Sequence, residues 1–100
     1  MQKMLNAIDL RVNNLPGYNW IGDEFPVLSW KISGDPGTMQ QYYRILAASS
    51  INLLKTPDLW NSGWVKSDCS SGIRWGGVKL RSRQQIFWQV EVRDQYGNNS

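Results

Sequence analysis

Carboxyl side chains are the groups in this sequence most able to carry acid–base chemistry, and the chain has eight of them. Asp23 and Glu24 form the only adjacent pair. Two carboxyl groups can act as general acid and general base when their surroundings push the two pKa values apart. The sequence around Asp23 and Glu24 offers nothing that would raise one pKa. We therefore interpret them as a solvated loop pair, and we predict no catalytic residue.

Histidine is absent from the chain, which removes the commonest general base and the commonest metal ligand. A Ser or Cys nucleophile would lack its usual partner. No group of acids and Cys has ligand spacing, so we predict no metal site and no cofactor, although calcium held by loop acids and carbonyls stays open. The single Cys69 cannot form an internal disulfide. Its polar neighbours, Ser67 to Gly72, predict an exposed loop thiol.

Aromatic residues make up 12% of the chain, and half of them are Trp. A short chain needs a few large side chains to build its core, so most Trp should be buried. The aromatics that could instead form a functional surface are Tyr18, Trp20, Trp64 and Phe87. These rings could stack on a sugar, or they could dock against another domain, which is the favoured interpretation. Parallel rings in a groove would favour sugar, whereas rings spread over a flat patch would favour docking.

The net charge of +3 is mild. Basic residues occupy every second position of the segment 78–83, namely Lys79, Arg81 and Arg83. This alternation is typical of the solvated face of a strand, and no nucleic-acid-binding motif accompanies it. No apolar run reaches transmembrane length, and no signal-peptide core is present. We expect no nucleic-acid or membrane partner. The compartment stays open, since a periplasmic or secreted parent would need a signal that this sequence lacks.

Alternation of apolar and polar residues predicts four strands. They cover Met4–Val12, Val27–Ile32, Gln41–Ala48 and Gln85–Arg93. The residues predicted to face inward are Ile8, Leu10 and Val12; Leu28, Trp30 and Ile32; Tyr43, Ile45 and Ala47; and Ile86, Trp88, Val90 and Val92. Trp30 and Trp88 lie centrally on their apolar faces, so we expect them to anchor the core.

The segments between these strands carry turn signals. Asn13–Pro26 is predicted as a long loop, and Ser49 or Ser50 could cap one helical turn that Pro57 prevents from continuing. A short strand interrupted by Gly63 is predicted over Leu59–Val65. Gly76-Gly77 fits a two-residue hairpin between Ile73–Trp75 and Val78–Leu80. Short strands with almost no helix predict an all-β fold, an antiparallel sandwich.

Several blocks resemble a known family. They are Leu28-Ser29-Trp30, Tyr43-Arg44-Ile45, Trp60-Asn61-Ser62-Gly63, Ser67-Asp68, Leu80-Arg81-Ser82 and Phe87-Trp88-Gln89-Val90. Their order and spacing resemble the N-terminal fibronectin-type-III-like domain of bacterial α-L-rhamnosidases of glycoside hydrolase family 78. Asn61 stands where the family usually has Asp, and Gln84 where it has Thr. Ile86 replaces a Tyr that resembles the tyrosine corner of sandwiches, so that corner must be held by apolar packing.

The resemblance implies an immunoglobulin-like or fibronectin-type-III-like sandwich spanning residues 1–100 as one domain. It also implies that the catalytic carboxylates lie in downstream domains, against which this domain docks. The alternatives are a carbohydrate-binding module and a generic protein-interaction sandwich. In the family one more strand follows the Trp88 strand, and here that strand would be truncated. We therefore expect the Gln85–Arg93 strand at an open sheet edge, with self-association through that edge or the adjoining face.

Overall fold

A computed structural model describes residues 5–13, 15–16, 19–22, 26–34, 37–80 and 84–97. Regular structure in these ranges consists of β-strands and one short 3-10 helix, Ile51–Leu53. The strands are β1 (Leu5–Val12), β2 (Leu15–Pro16), β3 (Asn19–Gly22), β4 (Val27–Gly34), β5 (Gln40–Ala48), β6 (Trp60–Asn61), β7 (Val65–Lys66), β8 (Ile73–Arg74) and β9 (Gln84–Asp94). The four strands predicted from alternation are therefore confirmed as β1, β4, β5 and β9.

The strands form two antiparallel sheets. One has the order β2-β1-β4-β8, and the other has the order β3-β9-β5-β6, with β7 also paired to β5. Both sheets draw strands from the first and second halves of the chain, and each contributes residues to the apolar core. The apolar faces of two sheets exclude water only when they pack together. The predicted immunoglobulin-like sandwich is thus confirmed.

The core lies between the sheets and is built around two tryptophans. Trp30 and Trp88 are 3% and 1% exposed, and their ring centroids lie 6.5 Å apart. Tyr43 packs edge-on against Trp30 at 5.4 Å. The other buried members of the core cluster are Leu5, Val12, Leu28, Ile45, Ala47, Leu59, Leu80, Ile86 and Val92. The predicted anchors are correct, and fully buried Ile86 fills its corner with an apolar side chain.

The prediction that Ile8 of β1 faces the core is wrong. The pairing of β1 with β4 shifts between Ile8 and Arg11, and Asp9 has a positive φ of 51°. These features describe a β-bulge, in which an extra residue reverses the alternation of side chains. Leu5 and Ala7 face the core before the bulge and Leu10 faces it afterwards. Ile8 is consequently 46% exposed.

Three predicted connections also differ from the structure. The loop expected over Asn13–Pro26 contains β2 and β3. The predicted strand over Leu59–Val65 is instead two separate strands, β6 and β7, on either side of Gly63. The Gly76-Gly77 hairpin is wrong, because β8 pairs with β4 and Val78–Leu80 form no strand. Arg81 and Arg83 lie outside the described residues.

The expected helical turn is present as the 3-10 helix, with Ser50 at its N-cap. The Ser50 side chain makes no capping bond. Ser49 instead binds Asp58, with its backbone nitrogen 2.9 Å from Asp58 Oδ1 and its hydroxyl 2.6 Å from Oδ2. These two bonds close the segment between β5 and β6.

The predicted open edge is wrong over the first part of β9. There, β3 pairs with β9 in the register Asn19↔Phe87 to Gly22↔Gln84, and β5 pairs on the other side. Phe87 therefore lies opposite both Asn19 and Ala48 in the interior of the sheet. The non-local pairing of β3 was hidden because a four-residue strand carries too little alternation to identify from sequence.

Gln40 is a buried polar residue that connects core and loop. Its Oε1 accepts a bond of 3.0 Å from Trp30 Nε1. Its Nε2 donates to the carbonyls of Ser67 and Cys69 at 3.0 and 2.8 Å. The pairing of β5 with β9 shifts between Gln40 and Tyr42, which lets Gln40 turn toward the core. The loop holding exposed Cys69 is thereby fastened to a core tryptophan.

Candidate docking surface

Of the four aromatics proposed for a functional surface, only Trp64 and Phe87 have side chains in the described part of the structure. Tyr18 lies outside the described residues. Trp20 is part of β3, opposite Ile86 in the register, and its side chain is also outside the described part. Trp64 and Phe87 are both half-buried. The site can therefore be analysed around Trp64 and Phe87.

A compact turn positions Trp64 over the outer face of the β5–β9 sheet. Asn61 Oδ1 accepts a bond of 3.0 Å from Gly63 N, and Gly63 has a φ of +66°, which glycine adopts without strain. Ser62 Oγ accepts a bond of 2.8 Å from Ile45 N, so the turn is fixed to β5. The Trp-Asn-Ser-Gly block is thus a connector between β6 and β7. Asn61 supplies the acceptor oxygen that an Asp would supply at this position.

Two arginine side chains stack against Trp64. The Cζ atoms of Arg44 and Arg93 lie 4.9 and 4.3 Å from the centroid of the indole ring. Arg93 Cζ is also 5.9 Å from the Tyr42 ring centroid. Tyr42 lies opposite Arg93 in the register, and Arg44 lies opposite Glu91. Opposed residues of an antiparallel pair project to the same side, so this register brings the arginines under one indole ring.

Polar contacts order the same surface. Arg44 Nη2 donates to Glu91 Oε1 at 2.7 Å, the short distance of a charge-assisted bond. Arg44 Nε is buried and has no hydrogen-bond partner among the described residues. Lys66 lies opposite Tyr42 and is exposed. We define the Trp64 face as Tyr42, Arg44, Trp64, Lys66, Glu91 and Arg93. It combines three cations, one carboxylate and two aromatic rings.

A shallow cavity of about 300 Å³ adjoins the Trp64 face through Lys66. Its lining is formed by Met39, Gln40, Gln41, Lys66, Ser67 and Asp68. Met39 is the most exposed of the large hydrophobic side chains in the described residues, at 62%. The cavity therefore places an uncovered apolar group beside the cationic surface.

Phe87 is separated from this surface along β9. It shares the outer face with Arg93, but six residues of extended chain separate them by about 20 Å. The indole of Trp64 is contacted by two guanidinium groups, so part of its ring surface is already covered. The two described aromatics are thus spread along a sheet face. The choice between a flat docking patch and a groove of parallel rings also involves Tyr18 and Trp20, so it stays a prediction.

Two described carboxyl groups, Asp9 and Asp58, have pKa values shifted away from those of a general acid. The hydrogen bond from Arg11 lowers the pKa of Asp9, with help from Lys31. The Ser49 hydroxyl and backbone N–H lower the pKa of Asp58. A general acid requires a raised pKa at neutral pH. Asp23 and Glu24 lie outside the described residues. Within the described ranges, no three metal-binding side chains from His, Cys, Asp and Glu cluster together.

The charged members of the Trp64 face were missed in the sequence analysis. Arg44 was named only as part of the Tyr-Arg-Ile block, and Glu91 and Arg93 lie at polar positions of the predicted strand Gln85–Arg93. Their alternation does predict outward orientation. Their clustering depends on which residue of β5 opposes which residue of β9, and sequence alone does not reveal that register.

No helix in the described part of the chain has both the length and the apolar character needed to cross a membrane.

The sandwich is similar to a domain of known proteins. Residues 7–100 match the family model described as "Rha78A-like, N-terminal immunoglobulin domain". This match includes the strands that form both sheets.

Curated relatives are similar in sequence over most of the chain. The chain is 42% identical over 76 residues to an α-L-rhamnosidase of Streptomyces avermitilis, covering 75% of this chain and 7% of the relative. It is 38% identical over 73 residues to an α-L-rhamnosidase of Alteromonas sp. (strain LOR), covering 70% and 8%. The chain therefore spans less than a tenth of the length of these relatives.

Solved structures agree with the fold. The Streptomyces avermitilis α-L-rhamnosidase complexed with L-rhamnose superimposes with a TM-score of 0.86 at 35% identity. That match covers 97% of this chain and 10% of the other. The α-L-rhamnosidase from Dictyoglumus thermophilum has a TM-score of 0.80 at 22% identity, covering 94% and 11%, and it supports the fold alone.

Proposed function

Because this chain belongs to the family of Rha78A-like N-terminal immunoglobulin domains, we propose that it is a non-catalytic accessory domain of an α-L-rhamnosidase. Residues 1–100 would form one domain of a longer polypeptide. The parent enzyme would hydrolyse terminal α-L-rhamnose from glycosides. Catalysis would take place in the downstream domains, and this domain would dock against them.

The observation that carries the docking role is the composition of the Trp64 face. Arg44 and Arg93 are held in place by stacking on Trp64, so little side-chain freedom remains to be lost when a partner binds. Arg and aromatic residues are enriched at protein interfaces. The matching segment in the relatives also sits within chains at least ten times longer, which supplies neighbouring domains as partners.

The carboxyl groups support the non-catalytic part of the proposal. Glycoside hydrolysis generally uses two carboxyl groups about 5–9.5 Å apart, one of them with a raised pKa. Asp9 and Asp58 both have lowered pKa values. The Glu91 carboxylate is bonded to the Arg44 guanidinium at 2.7 Å.

Activity on an aryl α-L-rhamnoside tests the division of labour. We expect no turnover by the isolated chain above a boiled control. The full-length parent should hydrolyse the aryl α-L-rhamnoside. Removal of residues 1–100 from the parent should lower its thermal stability. Turnover by the isolated chain that is lost when one of its acids is changed would contradict the accessory role.

Carbohydrate binding is the alternative, and it predicts a different signal. Titration of the isolated chain with L-rhamnose would then quench or shift the Trp fluorescence, and Trp64→Ala would abolish the change. We expect a flat titration, because Trp64 is half-buried and its indole is already packed on two guanidinium groups, which leaves at most one ring face for a sugar. A saturable change would favour a carbohydrate-binding module.

A further inference from the structure

We propose that the Trp64 face binds an acidic segment of the downstream domains, with a carboxylate of that segment bonded to the Arg44 and Arg93 guanidinium groups. This inference rests on the proposed accessory function and deepens it by naming the surface and the chemistry of its partner. The partner is part of the same polypeptide.

Charge is the first argument. The face carries Arg44, Lys66 and Arg93 against the carboxylate of Glu91, and the lining of the adjoining cavity adds the carboxylate of Asp68. Glu91 binds Arg44 through Nη2, and the surface as a whole keeps a net positive charge. An excess of fixed positive charge attracts a complementary anionic surface and disfavours a basic one.

Preorganisation is the second argument. Arg44 and Arg93 are on the neighbouring strands β5 and β9, and both stack on one indole. Arginine recognises carboxylates through paired N–H groups in a fixed plane. Because strands and stacking already restrain these guanidinium groups, a carboxylate can bind without first ordering two long side chains.

The neighbouring cavity indicates that the partner also presents apolar surface. Met39 is 62% exposed at the rim shared with Lys66. An apolar side chain placed beside the partner carboxylate would cover Met39 while the acid binds the arginines. Such an arrangement has the apolar centre and charged rim typical of interfaces.

Attachment in one polypeptide makes a small contact of this kind sufficient. The relatives that match this segment are chains of which it forms 7% and 10%. Because the domain and its partner are covalently linked, docking is intramolecular and takes place at a high effective concentration. A surface of a few charged and aromatic residues can then hold the domain in place.

Limited proteolysis of the full-length polypeptide tests the surface. A protease that cuts the connection after residue 100 reports how often the domain leaves its neighbours. We expect slow cleavage of the wild type in dilute buffer and faster cleavage in concentrated salt, because screening weakens contacts between charges. Arg93→Glu and Lys66→Glu should each accelerate cleavage about tenfold in dilute buffer.

Lys55→Glu is the matched control. It makes the same change of charge at an exposed residue that follows the far end of β5, and it should leave cleavage unchanged. The unfolding midpoint of each variant in the isolated chain separates loss of docking from loss of folding. Lys66 is exposed, so Lys66→Glu should retain the wild-type midpoint.

Each alternative gives a distinct result. Fast, salt-independent cleavage of the wild type would mean that the domain does not dock, and the proposed function would fail. Slow cleavage of both Arg93→Glu and Lys66→Glu would mean that the domain docks through another surface. The assignment of the Trp64 face would then fail, and the proposed accessory function would stand. Protection that appears only with added saccharide would assign the face to a sugar. Concentration-dependent sedimentation of the isolated chain, abolished by Arg93→Glu, would assign it to a second copy.

Discussion

Trp30 and Trp88 share one core but differ at the indole nitrogen. Trp30 Nε1 donates to buried Gln40 Oε1, whereas Trp88 Nε1 is buried with no partner among the described residues. Phe in place of either tryptophan removes a similar volume. Trp30→Phe should therefore lose more stability than Trp88→Phe, by about 1–3 kcal/mol, because it leaves a buried acceptor unpaired. Urea unfolding of the two variants measures this difference.

Trp88→Ala calibrates the same experiment. Loss of a whole buried indole should cost about 3–5 kcal/mol, which is a large share of the stability of a small domain. Equal losses for the two Phe variants would show that the Gln40 bond contributes nothing net. A loss below about 1 kcal/mol for Trp88→Ala would contradict its place in the core.

Asp58 gives the chain a pH-dependent contact. Its pKa is lowered from the ordinary 3.8 because the Ser49 hydroxyl and N–H bind the ionised carboxylate. A lowered folded-state pKa contributes stability that is present above the unfolded-state pKa and is lost as the pH falls through the folded-state pKa. Asp58→Asn should therefore destabilise the chain at pH 7, and its difference from wild type should vanish in acid below the Asp58 pKa.

The role of Ser49 is tested by measuring the effect of Asp58→Asn on unfolding across pH, once in the wild-type chain and once in Ser49→Ala. In Ser49→Ala the largest contribution to the shift is missing, so the pH-dependent effect of Asp58→Asn should shrink. An undiminished effect would mean that the Ser49 hydroxyl does not stabilise the Asp58 carboxylate.

At the scale of elements, the segment after β8 depends on close approach to β6. A Cβ added at Gly77 would lie 2.5 Å from Leu59 O and 2.5 Å from Trp60 Cβ. A Cβ at Gly76 would lie 3.0 Å from the Trp60 ring, which can shift. Gly77→Ala should destabilise by about 1–3 kcal/mol through overpacking, and Gly76→Ala should cost less. Thermal unfolding of the pair measures the difference, and equal midpoints would contradict the close packing.

The loop between β7 and β8 can be tested through its thiol. Cys69 is exposed, although its carbonyl is held by Gln40. A thiol reagent should therefore label Cys69 in the native chain at the rate seen after denaturation, to within about tenfold. Gln40→Leu should leave this rate high while lowering stability, because the core bonds of Gln40 are lost. Labelling only after denaturation would contradict the exposed position of the thiol.

At the scale of the whole molecule, self-association stays a prediction, but the part of the β9 edge that β3 covers is no longer its contact surface. β3 covers Gln84–Phe87 of β9, so a second copy cannot pair there without displacing β3. The prediction then applies to the part of the β9 edge beyond Phe87, which β3 does not reach. Sedimentation across a concentration series should show reversible self-association of the isolated chain at high concentration. A strict monomer, with slow amide exchange over Gln84–Phe87, would confirm the β3 pairing and exclude self-association.

Much of the fold could be predicted because it depends on local patterns. Leu28 and Trp30 in β4, and Ile86, Trp88 and Val92 in β9, alternate with polar residues. An extended chain turns successive side chains to opposite faces. The candidate site was predicted less completely. Trp64 was identified as a surface aromatic, but its arginine neighbours were not.

The sequence by itself determined the class of fold, the two core tryptophans and the family, since period-two alternation and short sequence blocks are properties of neighbouring residues. Only the tertiary structure decided that one bulge turns the Ile8 side chain to solvent and another turns the Gln40 side chain into the core. It also decided that β3 pairs with the first part of β9, and that Trp64 lies over Arg44 and Arg93. Each of these features depends on the register between strands that are distant along the chain. A shift of one residue in that register exchanges the two faces of a strand, so the Trp64 face exists only once the strands have paired.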